Sequence, residues 1–246
     1  GKAWGLAALL PLAAASVHVP PWRVLPADAL PARLRALGLA EPVAAVLGAL
    51  AEWRGAPGEA PAAARGAADA LAALLAPLTT GDGVAAALAR AAVELGEAGP
   101  ADGPPPTGLA PAFAVRSSAA GEDGDRHSFA GQFATALGVG PDDLDAAVLA
   151  CWRSAFSARA LDARRGAGTL GDAARLAVVV QRLVPADAAG VLFTRDPLGA
   201  PGARPAMRAS AALGLAERLV NGADDADEYR LDAATGRVLD RRVVRK

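Results

Sequence analysis

The residues best suited to chemistry lie in one segment, residues 115–133, with the sequence VRSSAAGEDGDRHSFAGQF. A short apolar run leads through Arg116 into a loop rich in serine and glycine. Backbone N–H groups and hydroxyls in such a loop bind anionic oxygens, while an arginine supplies a fixed positive fork. This is the chemistry that a triphosphate requires. The residues alone leave two alternatives open, an ordinary surface loop and a structural ion pair for Arg116.

Other ionisable residues in the chain have weaker claims to a functional role. Glu122 and Asp123 are metal ligands by type, but a turn or a helix start explains them better, so no metal ligand is assigned. His127 lies beside the loop and could contact a phosphate, although an exposed loop position is its default interpretation. His18, between two valines in an extended segment, is interpreted as structural. Asp196, before a proline, is predicted to cap a turn.

Composition excludes some classes of partner. Lys plus Arg (25) nearly balance Asp plus Glu (26), so the chain has no strong basic field that would bind nucleic acid. The apolar run over residues 3–17 is too short, and too interrupted by Pro11, to span a membrane, although it could resemble a signal peptide. The chain has one cysteine, which excludes an intrachain disulfide and fits a reducing cytoplasm. We therefore predict a cytoplasmic protein without membrane or nucleic-acid partners.

Hydrophobic periodicity predicts the elements that position these residues. The first part is Ala-rich and helical, over residues 3–12, 27–55 and 58–78, with a short strand at 22–25. The sequence AGPADGPPP at residues 98–106 is the clearest loop. We place a lobe boundary there, which gives an N-terminal lobe of residues 1–110 and a C-terminal lobe of residues 111–246.

The second part alternates strands and helices. A helix that starts at Pro141 carries an apolar stripe of Leu144, Val148, Cys151 and Ala155, widened by Trp152 and Phe156. The stripe predicts that Cys151 is a small buried core residue and not a reactive thiol. The remaining predicted elements are a strand at 113–116, a hairpin of residues 177–181 and 191–194 turning at 187–190, a helix at 214–220, strands at 229–231 and 238–243, and a solvated acidic face at 224–228.

Three ordered segments resemble the phosphoenolpyruvate synthase and rifamycin phosphotransferase family of dikinases. The segment VRSSAAGEDGDRHSFAGQ is similar to that family's VRSSAxxED…SFAGQ. The opening GKAWGLAALL…SVHVPPWRVLPADAL resembles its GGK-x-x-x-L helix followed by PVPPGFVLTTDAY, and VVVQRLVPADAAGVLFTRDP resembles VVVQxMVxxxxAGVxFTxDP. GLAERLVNG matches GLGEAVVSG more weakly, and residues 31–110 carry little of the likeness. The match at the start of the chain replaces the signal-peptide interpretation.

The resemblance implies a helix-rich α+β fold, an ATP-grasp-like nucleotide-binding domain of two lobes with ATP and Mg²⁺ in the cleft. The whole enzyme would split ATP to AMP. The β-phosphoryl group would pass to a histidine on a swivelling domain and then to an acceptor on a further domain, in the same parent chain or a separate subunit. Pyruvate and a rifamycin hydroxyl are the familiar acceptors, with a glucan as a third.

Site residues follow from the matched positions. Lys2 matches a lysine that contacts the ATP phosphates, and Arg116 matches an arginine on the transferring phosphates. Gln181, with the backbone near Leu183, matches the segment at the adenine. The loop that closes over the phosphates is matched by Ser128, Phe129, Ala130 and Gly131.

Two departures from the family pattern favour an alternative function. Ser210 stands where the family has an acidic residue, as in EASWGLGE. The family's PQDxEW and Q-x-RP segments, which supply magnesium ligands and a phosphate arginine, do not occur before Lys246. We therefore expect this chain alone to bind nucleotide without turning it over. The alternative is a non-catalytic nucleotide-binding or regulatory subunit of a split or degenerate dikinase.

Overall fold

The computed structural model describes residues 2–12, 18–97, 111–119, 123–124, 127–128, 134–199, 205–215, 217–220 and 226–244. Its contacts divide the chain into two compact units, Gly1–Leu183 and Val184–Lys246. The first combines helices with a four-stranded sheet, and the second is built mainly on another four-stranded sheet. The predicted α+β fold class, a mixture of helices and strands, is confirmed.

The first unit contains most of the predicted helices. These are α1 (Lys2–Leu9), α2 (Ala29–Ala36), α3 (Ala40–Glu52), α4 (Ala60–Leu74), α5 (Asp82–Glu97), α6 (Leu144–Ser154) and α7 (Ala158–Ala167). Its strands are β1 (Trp22–Leu25), β2 (Phe113–Ala119), β3 (Asp123–Gly124), β4 (His127–Ser128), β5 (Thr135–Val139) and β6 (Leu176–Arg182). Residues 27–55, predicted as one helical stretch, form two helices because Gly38 takes the left-handed conformation at φ 70°.

The larger sheet of the first unit has the order β1-β6-β2-β5, with every neighbouring pair antiparallel. β6 lies inside the sheet, between β1 and β2, which explains its unbroken run of β-branched residues. One face of the sheet packs against the helices. The core on that face includes Phe113 and Val115 from β2, Val178 and Val180 from β6, Leu88 and Leu95 from α5, and Leu144, Val148, Cys151 and Trp152 from α6. The apolar stripe predicted for α6 is confirmed, as is the burial of Cys151.

The second unit is an antiparallel meander. Its elements are β7 (Ala188–Phe193), β8 (Ala206–Leu213), α8 (Glu217–Val220), β9 (Asp227–Asp232) and β10 (Val238–Arg242), with the strand order β10-β9-β8-β7. The strands predicted near 229–231 and 238–243 are confirmed. The predicted hairpin is wrong, because both sides of β6 are already paired with β1 and β2, while β7 pairs with β8. Residues 188–190 belong to a strand and not to a turn.

The division by contacts differs from the lobe boundary that the sequence suggested at residue 110. β2 lies after that point, yet it pairs with β6 and shares one core with helices that precede it. The elements before and after that point therefore belong to one unit. A run of turn-forming residues in a sequence does not show whether the elements on its two sides share a core.

One face of the second unit carries a polar network across β8 and β9. Glu228 accepts from Arg208 Nε at 2.9 Å and from Ser210 Oγ at 2.8 Å. Asp196 accepts from Leu198 N at 3.1 Å, as its predicted turn-capping role requires, and also lies 3.3 Å from Arg230 Nε. The acidic run at 224–228 is therefore not simply a solvated face, since its last member is paired within the sheet.

Replacing Asp232 should destabilise the turn between β9 and β10. Its buried Oδ1 accepts from Ala234 N (3.1 Å), Thr235 N (2.9 Å) and Thr235 Oγ1 (2.8 Å). Because Asp232→Ala leaves these donors without that partner, we expect a loss of about 1–2 kcal/mol. Amide hydrogen exchange in β9 and β10 would measure it. The exposed Asp240→Ala is the matched control, and equal protection in the two variants would contradict the assignment.

No helix in the described segments is, taken singly, long and apolar enough to cross a membrane. Among the described residues one bent pair, α2 with α3, passes that test when the two helices are joined, on length and composition alone.

Candidate functional site

Arg116 occupies the face of the larger sheet opposite the helical core. Successive side chains of a strand point to opposite faces, so the burial of Phe113 and Val115 in the core places Arg116 on the other side. The residue is half-buried. None of the described residues forms a hydrogen bond or ion pair with its guanidinium. Such a guanidinium is suited to bind an anion, and within the described segments no carboxylate forms the structural ion pair that was the alternative.

Gln181 shares this face with Arg116. In the β2–β6 register Arg116 lies opposite Val179, and Ala114 lies opposite Gln181. Arg116 and Gln181 are thus diagonal neighbours on adjacent strands, with backbones separated by roughly 7–8 Å in ordinary sheet geometry. The sheet therefore brings together two predicted site residues that lie 65 positions apart in the chain.

Helix α1 brings Lys2 to the same region. The backbone N–H of Ala3 donates to Ser118 Oγ at 3.1 Å, and Ser118 shares the strand face of Arg116. Lys2 is half-buried and has an interaction of its own. The start of a helix also carries a partial positive charge. The sequence did not predict that Ser118 binds the start of α1, and the only indication of this role was its place as the second serine of VRSS.

Gln181 is 8% exposed, and its amide has a structural partner. Its Nε2 donates to Pro20 O at 3.1 Å, which holds the segment before β1 against the end of β6. The backbone N–H of Leu183 donates to Ala112 O at 2.9 Å. Because this N–H already has a partner within the protein, the predicted contact of adenine near Leu183 would need other backbone groups.

The predicted phosphate loop is described only in part. Ser128 lies in β4, and β3 and β4 form a two-stranded ribbon in which the backbone of Ser128 pairs with that of Asp123 and the backbone of His127 with that of Gly124. The remaining predicted loop residues, Phe129, Ala130 and Gly131, lie outside the described residues, so their roles stay predictions.

The thiol of Cys151 lies behind β2, 3.9 Å from the carbonyl of Val115. Burial raises the pKa of its thiol to about 11, so the thiol stays protonated at neutral pH. The positive charge of Lys2 acts in the opposite direction on the same pKa, which places that ammonium within electrostatic range of α6. Across the segments that the structure describes, no three His, Cys, Asp or Glu side chains are grouped to hold a metal ion.

Comparison with known proteins identifies a family model that matches the chain. The model of the family described as pyruvate phosphate dikinase, AMP/ATP-binding domain, matches residues 1–246. The chain is 42% identical over 135 residues to the prodigiosin synthesizing transferase PigC of Serratia marcescens, covering 54% of this chain and 15% of that protein. It is 43% identical over 121 residues to a rifampicin phosphotransferase of Streptomyces sviceus, covering 49% and 14%.

A phosphoenolpyruvate synthase of Pyrococcus furiosus is 38% identical over 134 residues, which cover 54% of this chain and 16% of the enzyme. In each of these relatives the matched region is a small part of a much longer protein. The family model, in contrast, extends over the whole chain, and relatives named phosphoenolpyruvate synthase and rifampicin phosphotransferase agree with the likeness seen in the motifs. The chain belongs to the pyruvate phosphate dikinase AMP/ATP-binding domain family.

Proposed function

We propose that this chain is the ATP-binding part of a dikinase-type phosphotransferase and that its fold is of the ATP-grasp-like kind. The whole protein would transfer the β-phosphoryl group of ATP to a histidine on another domain, and from there to pyruvate or a rifamycin-like hydroxyl, releasing AMP. The observation that carries the proposal is Arg116, a half-buried guanidinium that has no hydrogen-bond or ion-pair partner among the described residues and lies on the face that also bears Gln181.

The proposed roles follow from the chemistry of the groups. Arg116 would bind the outer phosphates through a charge-assisted fork, and Lys2 at the start of α1 would add a second positive charge. Gln181 would border the adenine. Phe129, Ala130 and Gly131, with Ser128, would close over the phosphates. His127 stays a candidate for a phosphate contact beside that loop.

Magnesium enters this proposal only as part of the MgATP complex. The described residues do not offer the clustered carboxylates of a dedicated metal site. Mg²⁺ commonly retains several waters and is held largely by the substrate phosphates, which is compatible with that finding. We therefore assign no metal ligand among the described residues.

The alternative is a non-catalytic nucleotide-binding subunit, which the serine at position 210, in place of an acidic residue, favours. The fold supplies a carboxylate beside that position, because Glu228 Oε1 lies 2.8 Å from Ser210 Oγ on the neighbouring strand. Replacement of the acidic residue is therefore weaker support for lost catalysis than the sequence suggests. Formation of AMP and phosphohistidine by the parent protein would support the dikinase, and its absence would support the non-catalytic subunit.

The direct test of binding is titration calorimetry of the folded 246-residue chain with MgATP. We expect dissociation constants of roughly tens to hundreds of micromolar, about 5–6 kcal/mol of binding free energy. A folded chain that binds neither ATP nor AMP at millimolar concentration would refute the proposal.

Gln181→Ala should weaken ATP and AMP by similar factors, roughly three- to tenfold. The reason is that the residue borders the part of the ligand that the two nucleotides share. The loss of its bond to Pro20 should also cost about 1 kcal/mol of stability. Calorimetry with both nucleotides, together with circular dichroism to verify folding, measures this. A folded variant that binds AMP normally would refute the adenine placement.

A further inference from the structure

The backbone of Ala134 is held on both sides by side chains of one helix. Its N–H donates to Ser154 Oγ at 3.0 Å, and its carbonyl accepts from Cys151 Sγ at 3.5 Å. Ser154 and Cys151 lie in the last turn of α6. The two helix residues are also bonded to each other, because the Ser154 hydroxyl donates to the Cys151 carbonyl at 2.7 Å. We call Ala134, Cys151 and Ser154 the α6 tether.

The tether acts at a particular point of the sheet. Ala134 immediately precedes Thr135, which is the cross-strand partner of Arg116 in the β2–β5 pairing. The Cys151 thiol also lies 3.9 Å from the carbonyl of Val115, the residue before Arg116. Helix α6 thus contacts the backbone of two residues, Val115 next to Arg116 and Ala134 next to Thr135, the cross-strand partner of Arg116.

The chemistry of the tether favours a fixed geometry. Cys151 is completely buried, and its raised pKa keeps the thiol protonated, so that it remains a donor. Ser154 uses its hydroxyl both as donor and as acceptor, which leaves the side chain little rotational freedom. A backbone position whose N–H and carbonyl are both bound by one rigid helix cannot shift without breaking two hydrogen bonds.

We propose that Ser154 and Cys151 are positioning residues for the triphosphate, which set the location of Arg116 by fixing Ala134 and the start of β5. The inference rests on the proposed function, since it assigns Arg116 to the outer phosphates. Small displacements of a binding group can lower an affinity strongly even when the fold persists. The effect should therefore fall on ATP and not on AMP, which lacks those phosphates.

The test compares two serines of neighbouring helices. Ser154→Ala removes the bond to Ala134, whereas Ser157→Ala removes the cap of α7, where Ser157 Oγ accepts from Ala160 N at 3.3 Å. Both changes delete one hydroxyl that bonds a backbone amide, so both should lower the melting temperature. Only Ser154→Ala should weaken MgATP, by about tenfold, while AMP stays within about twofold. Ser154→Thr retains the hydroxyl and should restore ATP binding.

The outcomes separate this inference from the proposed function. If the wild-type chain binds ATP and Ser154→Ala binds it equally well, the α6 tether has no positioning role. The same follows if Ser154→Ala weakens ATP and AMP equally, or if Ser157→Ala weakens ATP as much. If the folded wild-type chain binds no nucleotide, the proposed function fails, and the inference fails with it. Cys151→Ser, which keeps a donor, is expected to bind ATP better than Cys151→Ala.

Discussion

Arg116→Ala should weaken ATP binding by roughly 30- to 150-fold while changing AMP binding much less. A charge-assisted bond in a half-buried position contributes about 2–3 kcal/mol, and the guanidinium would face the outer phosphates that AMP lacks. Its donors have no competing partner among the described residues, so the interaction is available to a ligand. Titration calorimetry with both nucleotides measures the difference directly.

A matched control for this change is Arg90→Ala. Arg90 is an exposed arginine of α5, the helix that packs on the opposite face of the sheet. This variant should bind ATP and AMP like the wild type. Equal weakening of both nucleotides by Arg116→Ala would show that the residue supports the fold and not the phosphates. An intermediate affinity is expected for Arg116→Lys, which keeps the charge but loses the planar fork.

Gly190→Ala should destabilise the second unit by about 3 kcal/mol. A Cβ at Gly190 would lie 2.5 Å from the backbone oxygen of Ser210 on β8 and 3.3 Å from Ala211 Cα. These are backbone atoms of a paired strand and cannot rotate away, so the sheet itself must shift. Calorimetric unfolding, with hydrogen exchange of the β7 and β8 amides, would report the loss.

The control for Gly190→Ala is the same substitution at Gly66. Gly66 lies at an exposed position of α4, and a Cβ there would meet no atom within 4 Å. Alanine is the better helix former, so Gly66→Ala should stabilise the chain by about 0.5–1 kcal/mol. Unchanged exchange rates in β7 and β8 of Gly190→Ala would contradict the close approach of the two strands.

Local pattern was sufficient for several features of this protein. The stripe on α6 predicted the burial of Cys151 because helical periodicity depends only on spacing along the chain. The strands β1, β2, β9 and β10 were predicted for the same reason, as short apolar or alternating runs between turn residues. The family could also be named from three ordered segments, two of which contain Arg116 and Gln181, and the family model matches the whole chain.

Which strands pair with one another was decided only by the tertiary structure. The sequence of residues 176–182 is equally compatible with a hairpin to the next strand and with a position inside a sheet. The hairpin is excluded because β6 is paired with β1 on one side and with β2 on the other. The division of the chain after Leu183 could not be predicted for a related reason, because loop composition carries no information on which core the flanking strands join. Glu228 beside Ser210, and the α6 tether at Ala134, depend on residues 18 and 20 positions apart. Such contacts are fixed by strand register and helix packing, which local sequence preferences do not determine.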